Sequence, residues 1–139
     1  MYSVLWASED WLNFCGFTDI VGKSLKMLQG PETDADTADA IKFAAMRHEP
    51  ITATLINYTK SHIPFQHTIH VEVLFKANAE PALFKVTSQD IVSFRDLEDA
   101  ARMREQFGVR LQAEGGWARL QKKLLLQGSD ITDMFLWAR

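Results

Sequence analysis

The middle of the chain contains three strand-like runs, and these constrain the fold more than any other feature. They cover residues 51–59, 65–75 and 83–92. The first run alternates, so that Ile51, Leu55 and Asn57 share one side of the predicted strand. The other two are rich in β-branched and aromatic residues, and the connections have the length of hairpin loops. This segment therefore predicts three consecutive antiparallel strands.

The segment before these runs combines a short strand with helices. Residues 2–6 alternate aromatic and β-branched side chains, as strands do. Ser8 can cap a short helix. A longer helix can begin after Thr33 or Asp34 and end near Arg47. One strand, a block of small helices and three antiparallel strands predict an α+β fold.

From about Phe94 the apolar residues recur at helical spacing, with an interruption at Gly115 and Gly116 and a resumption at Trp117. A final amphipathic helical turn is predicted to carry Ile131, Met134, Phe135 and Trp137. We expect a domain over residues 1–93 and a C-terminal helical extension over 94–139. This extension is too apolar to be a solvated linker. The open face of the sheet, the tail of another copy or a partner protein would cover it.

Composition excludes several classes of protein. The 139 residues are 47% hydrophobic and 24% charged, with a net charge of -3, which argues against a disordered chain. The single cysteine, Cys15, excludes a disulfide scaffold. No apolar run approaches the roughly 18 residues that cross a bilayer. We expect a soluble intracellular, cytoplasmic protein that binds no membrane and, being weakly acidic, no nucleic acid.

Patterns of catalysis and metal binding are missing from the sequence. His67 and His70 lie near Glu72, but residues 67 and 70 of a strand point to opposite sides, so three ligands would not converge. The sequence has neither a G-x-S-x-G nucleophile motif nor a glycine-rich phosphate loop. We expect no metal site, no catalytic residues and no enzyme activity.

Two stretches resemble a known family. Residues 28–34 read LQGPETD and residues 55–60 read LINYTK. Both look like signature stretches of light-oxygen-voltage (LOV) domains, the flavin-binding members of the PAS superfamily. The resemblance covers most of residues 6–91. It implies a PAS-like antiparallel sheet with short helices over one face and non-covalent binding of flavin mononucleotide (FMN).

The chain departs from this family at the photoreactive cysteine. In the family, a cysteine in the string GRNCRFLQ attacks the flavin under blue light, whereas residues 22–29 here read GKSLKMLQ. Leu25 stands at the cysteine position and offers no nucleophile for a photoadduct. Cys15 lies ten positions earlier, and we expect it to be a small buried hydrophobe.

Other family contacts carry over with their residue type or charge retained. The two arginines that hold the flavin phosphate correspond to Lys26 and Lys42, which keep the charge but lose the bidentate fork. These lysines are equally consistent with a solvated surface. Gln29 corresponds to a polar contact with the ribityl chain. Asn57 corresponds to the amide that reads the pyrimidine edge of the flavin, and an inward-facing asparagine needs a partner.

Two more contacts have changed type. His67 replaces the family's second asparagine, and Ser88 replaces the glutamine of the last strand. Gln89 is one residue further on and is predicted to face the opposite side of the sheet. His67 can still make one hydrogen bond to a flavin carbonyl, or it can be a satisfied core histidine.

The family also begins with a strand before residues 2–6, and this first strand is missing here. The sheet would then expose an edge unless the tail, a neighbouring chain or an upstream segment covers it.

These features predict a sensory or regulatory module. It would signal through a change in flavin redox state or protonation to the C-terminal helices, as a redox or residual light sensor. We expect a homodimer through those helices or the exposed sheet edge, and a possible protein effector. The alternative is a flavin-free PAS interaction or dimerisation module.

Overall fold

The computed structural model describes residues 3–79, 81–108 and 133–137. The strands of this part are β1 (Ser3–Ala7), β2 (Ile51–Tyr58), β3 (Pro64–Phe75), β4 (Pro81–Ser93) and β5 (Asp133–Trp137). The helices are α1 (Glu9–Cys15), α2 (Ala35–Met46) and α3 (Leu97–Gly108), with a 3₁₀ turn at Leu25–Leu28. The predicted α+β class is confirmed.

Local capping sets the ends of the first two helices. The Ser8 hydroxyl accepts a hydrogen bond from the Trp11 amide at 3.2 Å and begins α1. Gly16, with φ of 77°, ends the same helix in the left-handed conformation that glycine adopts without strain. The Asp34 carboxylate accepts from the Thr37 amide at 2.9 Å and begins α2. Of the two caps that the sequence allows for α2, the structure uses Asp34.

One antiparallel sheet contains all five strands, in the order β1-β5-β4-β3-β2. Strands β2, β3 and β4 follow each other as the sequence predicts. The register between β3 and β4 shifts between Gln66 and Thr68, where Asp90 takes the extra position with φ of 52°. This bulge follows Gln89, so it leaves the facing direction of Gln89 as the alternation predicts.

Strand β5 corrects the prediction of a final helical turn. Residues 133–137 form a strand between β1 and β4 and pair antiparallel with both, with a register shift between Val4 and Trp6 of β1. These residues form a strand despite their helical spacing because the backbone N–H and C=O groups of β1 and β4 need hydrogen-bond partners. A strand between β1 and β4 supplies partners to both. Of the segments that were expected to cover an open edge of the sheet, the tail is the one that pairs there, through residues 133–137. The predicted helical pattern across 109–132, including Gly115 and Gly116, lies outside the described residues.

Apolar side chains pack on both faces of the sheet. The inner face is the one covered by α1, the 3₁₀ turn and α2, and the outer face is the one beneath α3. The core of the inner face includes Trp11, Leu28, Leu55, Phe65 and Phe84, among others. The core of the outer face consists of Ile56, Tyr58, Val92, Phe94 and Ala100. Alternate residues of β2 therefore serve different cores, as the alternating pattern predicts.

Candidate ligand site on the inner face of the sheet

A buried polar ladder crosses the inner face. Asn57 Nδ2 lies 2.9 Å from His67 Nε2, and His67 Nδ1 lies 2.6 Å from Ser88 Oγ. The three side chains come from β2, β3 and β4, and they are 6%, 1% and 0% exposed. Antiparallel pairing thus brings three of the predicted ligand contacts into one hydrogen-bonded group, here called the inner ladder.

Hydrogen-bond chemistry assigns the proton of His67. The Asn57 Nδ2 atom only donates, so Nε2 of the imidazole must accept. The proton of the neutral ring then lies on Nδ1 and is donated to Ser88 Oγ. Burial lowers the pKa of His67 from 6.5 to about 3, because water no longer stabilises the charged form. The ring is therefore neutral across the physiological range.

The inner ladder leaves an acceptor unused. Asn57 Oδ1 is buried and has no hydrogen-bond partner among the described residues. Ser88 accepts from His67 and so keeps its own hydroxyl proton to donate. The ladder therefore offers an acceptor at one end and a donor at the other. A ligand that carries an N–H on one part of its edge and a carbonyl on another can therefore bond to the two ends of the ladder.

Aromatic rings surround the imidazole of His67. The Trp11 indole stacks on it, with centroids 5.9 Å apart and planes at 7°, and Phe65 meets it edge-on at 4.8 Å. The Trp11 Nε1 atom is buried and has no partner within the described part of the chain. Such a wall excludes water and presents flat apolar surfaces, which suit a planar aromatic ligand.

Cys15 and Leu25, the two residues that the sequence analysis weighed against the family's reactive cysteine, lie on α1 and the 3₁₀ turn. Cys15, at the end of α1, is fully buried, as expected, and burial raises the pKa of its thiol. Leu25 begins the 3₁₀ turn and packs, partly buried, against the core of the inner face. Leu25, which the sequence resemblance places at the family's cysteine position, is thus an apolar side chain packed on the inner face.

The remaining predicted contacts are not part of the inner ladder. Lys26 and Gln29 are exposed at the 3₁₀ turn, and Lys42 is exposed on α2. Gln89 faces the outer side, where its Oε1 accepts from His70 Nε2 at 2.8 Å. The structure therefore joins three predicted site residues, and it leaves Lys26, Gln29 and Lys42, which were predicted to contact the flavin tail, at the surface.

A second polar ladder, on the outer face, was not predicted. Thr52 Oγ1 lies 2.8 Å from His70 Nδ1, and His70 Nε2 lies 2.8 Å from Gln89 Oε1. Because Gln89 Oε1 only accepts, Nε2 carries the proton and Nδ1 accepts from the threonine hydroxyl. We call this group the outer ladder. Its signal in the sequence is the alternation, which places polar residues of neighbouring strands on one face.

The described residues bring together no group of three or more His, Cys, Asp or Glu side chains that could hold a metal ion. His67 and His70 cannot share a metal ion because the strand alternation places them on opposite faces of β3. None of the helices in the described part is long and apolar enough to cross a membrane.

Sequence comparisons relate the chain to blue-light receptors. It is 36% identical over 83 residues to phototropin-2 of Oryza sativa subsp. japonica, covering 58% of this chain and 9% of that protein. It is 27% identical over 112 residues to a blue-light-activated histidine kinase of Brucella anthropi, covering 78% and 23%. The chain thus spans less than a quarter of either relative. No family model matches it.

Solved structures show the same fold. The dark structure of the blue-light photoreceptor Aureochrome1 LOV matches with a TM-score of 0.58, 27% identity and 75% coverage of both chains. A structure from work on a flavin analogue and the light-oxygen-voltage domain mechanism matches with a TM-score of 0.59 and 21% identity, covering 75% and 76%. The chain is thus similar in sequence to blue-light receptors and similar in fold to solved LOV domains.

Proposed function

We propose that this chain is a sensory or regulatory LOV-like PAS module that binds FMN non-covalently between the inner face of the sheet and the helices above it. The observation that carries the proposal is the inner ladder with its unused acceptor, Asn57 Oδ1. A buried polar atom without a partner costs about 1–3 kcal/mol. An N–H of the flavin pyrimidine edge would supply the missing partner.

The residues of the chain have distinct roles in this proposal. Asn57 accepts from the ligand N–H, and the Ser88 hydroxyl donates to a ligand carbonyl. The LOV resemblance assigns the phosphate to Lys26 and Lys42 and the ribityl chain to Gln29. Their exposure suits a ligand whose charged end stays near water. Bound flavin would supply visible absorption and redox chemistry.

The module is proposed to work without a cysteinyl photoadduct and without catalysis. Leu25 has no thiol, and Cys15 is a buried thiol whose raised pKa disfavours the nucleophilic thiolate. The signal would be a change in redox state or protonation at the inner face, transmitted to the C-terminal extension. A second copy, bound through the extension or a sheet edge, or a protein effector would receive it.

A flavin-free interaction or dimerisation module is the second candidate. Both ring nitrogens of His67 are already satisfied within the protein, and Trp11 packs flat against the ring. These contacts show that the protein itself satisfies and covers the His67 ring, so this residue needs no ligand. The chain would then act through its surface alone, on a second copy or an effector.

Visible absorption of the purified chain separates the two candidates. A structured blue band, in the protein as purified or after refolding with excess FMN, is expected for the first. In that case Asn57→Leu should weaken FMN binding about tenfold or more, because leucine has nearly the same shape but lacks both the free acceptor and the Nδ2 donor to His67. His70→Leu, on the outer face, is the control and should leave the affinity unchanged. A chain that stays colourless with excess FMN supports the second candidate.

Illumination tests the role of Leu25. Blue light should cause no reversible bleaching of the wild-type band, whereas Leu25→Cys should gain a bleaching that recovers in the dark. Reversible bleaching of the wild type that disappears in Cys15→Ala would instead show that Cys15 reaches the ring.

A further inference from the structure

The turn of residues 30–34, here called the edge turn, wraps around β2, the strand at one edge of the described sheet. Gly30 lies against the Tyr58 ring so closely that a methyl group would overlap it. The Glu32 amide donates to the Tyr58 hydroxyl at 2.9 Å, and the Thr33 hydroxyl donates to the Ile56 carbonyl at 2.7 Å. Both side chains of β2 belong to the outer core, whereas the 3₁₀ turn that precedes the edge turn belongs to the inner face. The edge turn thus connects the two faces of the sheet.

Arg104 of α3 reaches the edge turn from the outer face. Its guanidinium lies 3.5 Å from Glu32 Oε2 and 3.3 Å from Asp34 Oδ1. The other Asp34 oxygen caps α2 through the amide and hydroxyl of Thr37. The Thr37 hydroxyl and amide, and after them the Arg104 guanidinium, lower the pKa of the Asp34 carboxyl. One side chain of α3 is therefore tied to both the edge turn and the start of α2.

We propose that Arg104 is a positioning residue that couples α3 on the outer face to the ligand side of the sheet through the edge turn. Asn57 lies between Ile56 and Tyr58, the two residues of β2 that the edge turn holds. A ligand on Asn57 Oδ1 that orders this end of β2 also orders the turn and its contact with α3. By linkage, docking of α3 strengthens ligand binding to the same degree. The ligand part of this coupling rests on the proposed function.

The chain offers a matched control for Arg104 on the same helix. Arg102 pairs with Asp99 within α3 and makes no described contact with the edge turn. Arg102→Ala therefore removes one positive charge and one ion pair from α3 but leaves the turn untouched. Arg104→Lys keeps the charge without the fork that reaches two carboxylates, so it should restore part of the effect.

Amide hydrogen exchange of the full chain without added ligand tests the first part of the proposal, that Arg104 holds the edge turn. Arg104→Ala should accelerate exchange of the Glu32 and Thr33 amides and of α3 about two- to fivefold, the range that a partly exposed ion-pair network allows. Arg102→Ala should leave the turn amides at the wild-type rate. Equal turn exchange in both variants would overturn the proposal. If Arg104→Ala folds poorly, Glu32→Gln serves in its place. It removes the negative charge of the edge turn instead of the positive charge of α3, and it should also accelerate exchange of the turn amides.

FMN titration of the same variants tests the second part of the proposal, that Arg104 is coupled to ligand binding. Arg104→Ala should raise the Kd about two- to fivefold over Arg102→Ala, with partial recovery in Arg104→Lys. Equal Kd values would overturn the coupling. A wild-type chain that binds no FMN would refute the proposed function, and hydrogen exchange alone would then decide whether Arg104 holds the edge turn.

Discussion

His67 and His70 stand three residues apart on β3, yet they lie on opposite faces of the sheet. Each bridges a side chain of β2 to one of β4, so the inner and outer ladders have the same construction. They differ in burial: His67 is 1% exposed, whereas His70 is half-buried. Water can replace a lost partner in the outer ladder but not in the inner one.

This difference shows that a polar ladder has no fixed energetic value. Inside the core, each unmade hydrogen bond costs the desolvation of its group, about 1–3 kcal/mol. At the surface, water forms a hydrogen bond with the group that has lost its partner, so most of this cost disappears. The inner ladder is therefore sensitive to every one of its members and is suited to detect a ligand. The outer ladder is expected to tolerate change.

The largest effect is expected from His67→Leu. Leucine leaves Asn57 Nδ2 and Ser88 Oγ buried without their partner, so the free energy of unfolding should fall by about 2–4 kcal/mol. Urea denaturation followed by tryptophan fluorescence measures it. A loss no greater than that of His70→Leu would contradict the contrast between the two ladders.

The second prediction concerns pH. The pKa of His67 is about 3 in the folded chain and about 6.5 when unfolded, so between these values the unfolded state binds the additional proton. The free energy of unfolding should therefore fall on acidification from about pH 6.5 towards pH 3, by about 1.4 kcal/mol per pH unit from this group. His67→Leu lacks the titrating ring, so its gap to the wild type should narrow with acid. A constant gap would show that His67 is not buried as described.

Replacing all three side chains of the inner ladder should lower the free energy of unfolding less than replacing His67 alone. The triple variant Asn57→Leu, His67→Leu, Ser88→Ala leaves no polar side chain of the ladder unpaired. We expect it to regain about 1–2 kcal/mol of the stability that His67→Leu loses, because replacing all partners by apolar groups avoids the desolvation cost. The same denaturation series measures this. The triple variant should also fail to bind FMN.

The smallest effect is expected from His70→Leu. Thr52 and Gln89 lie near solvent and can bond to water, so the free energy of unfolding should change by less than about 1 kcal/mol. A loss of about 3 kcal/mol would show that the outer ladder is as sheltered from water as the inner one.

The sequence predicted the site in part. Alternation placed Asn57 on the inner side of β2, and the LOV resemblance singled out His67 and Ser88. Neither indicated that the three side chains bond to one another, because that depends on the register of β2, β3 and β4. Gln89 was predicted to face outward, but its bond to His70 was not foreseen. Hydrogen bonds across strands are decided by residues that are distant in sequence.

By itself, the sequence determined the local elements: the three central strands, two capped helices and the helix after Phe94. These depend on periodicity and caps that neighbouring residues supply. Tertiary structure decided what residues 133–137 became, because two strands with unpaired backbone groups outweighed a weak helical spacing. It also decided that Arg104 meets Glu32 and Asp34, about seventy residues away. Which groups lose contact with water, and therefore need a partner, is settled only when the chain is folded.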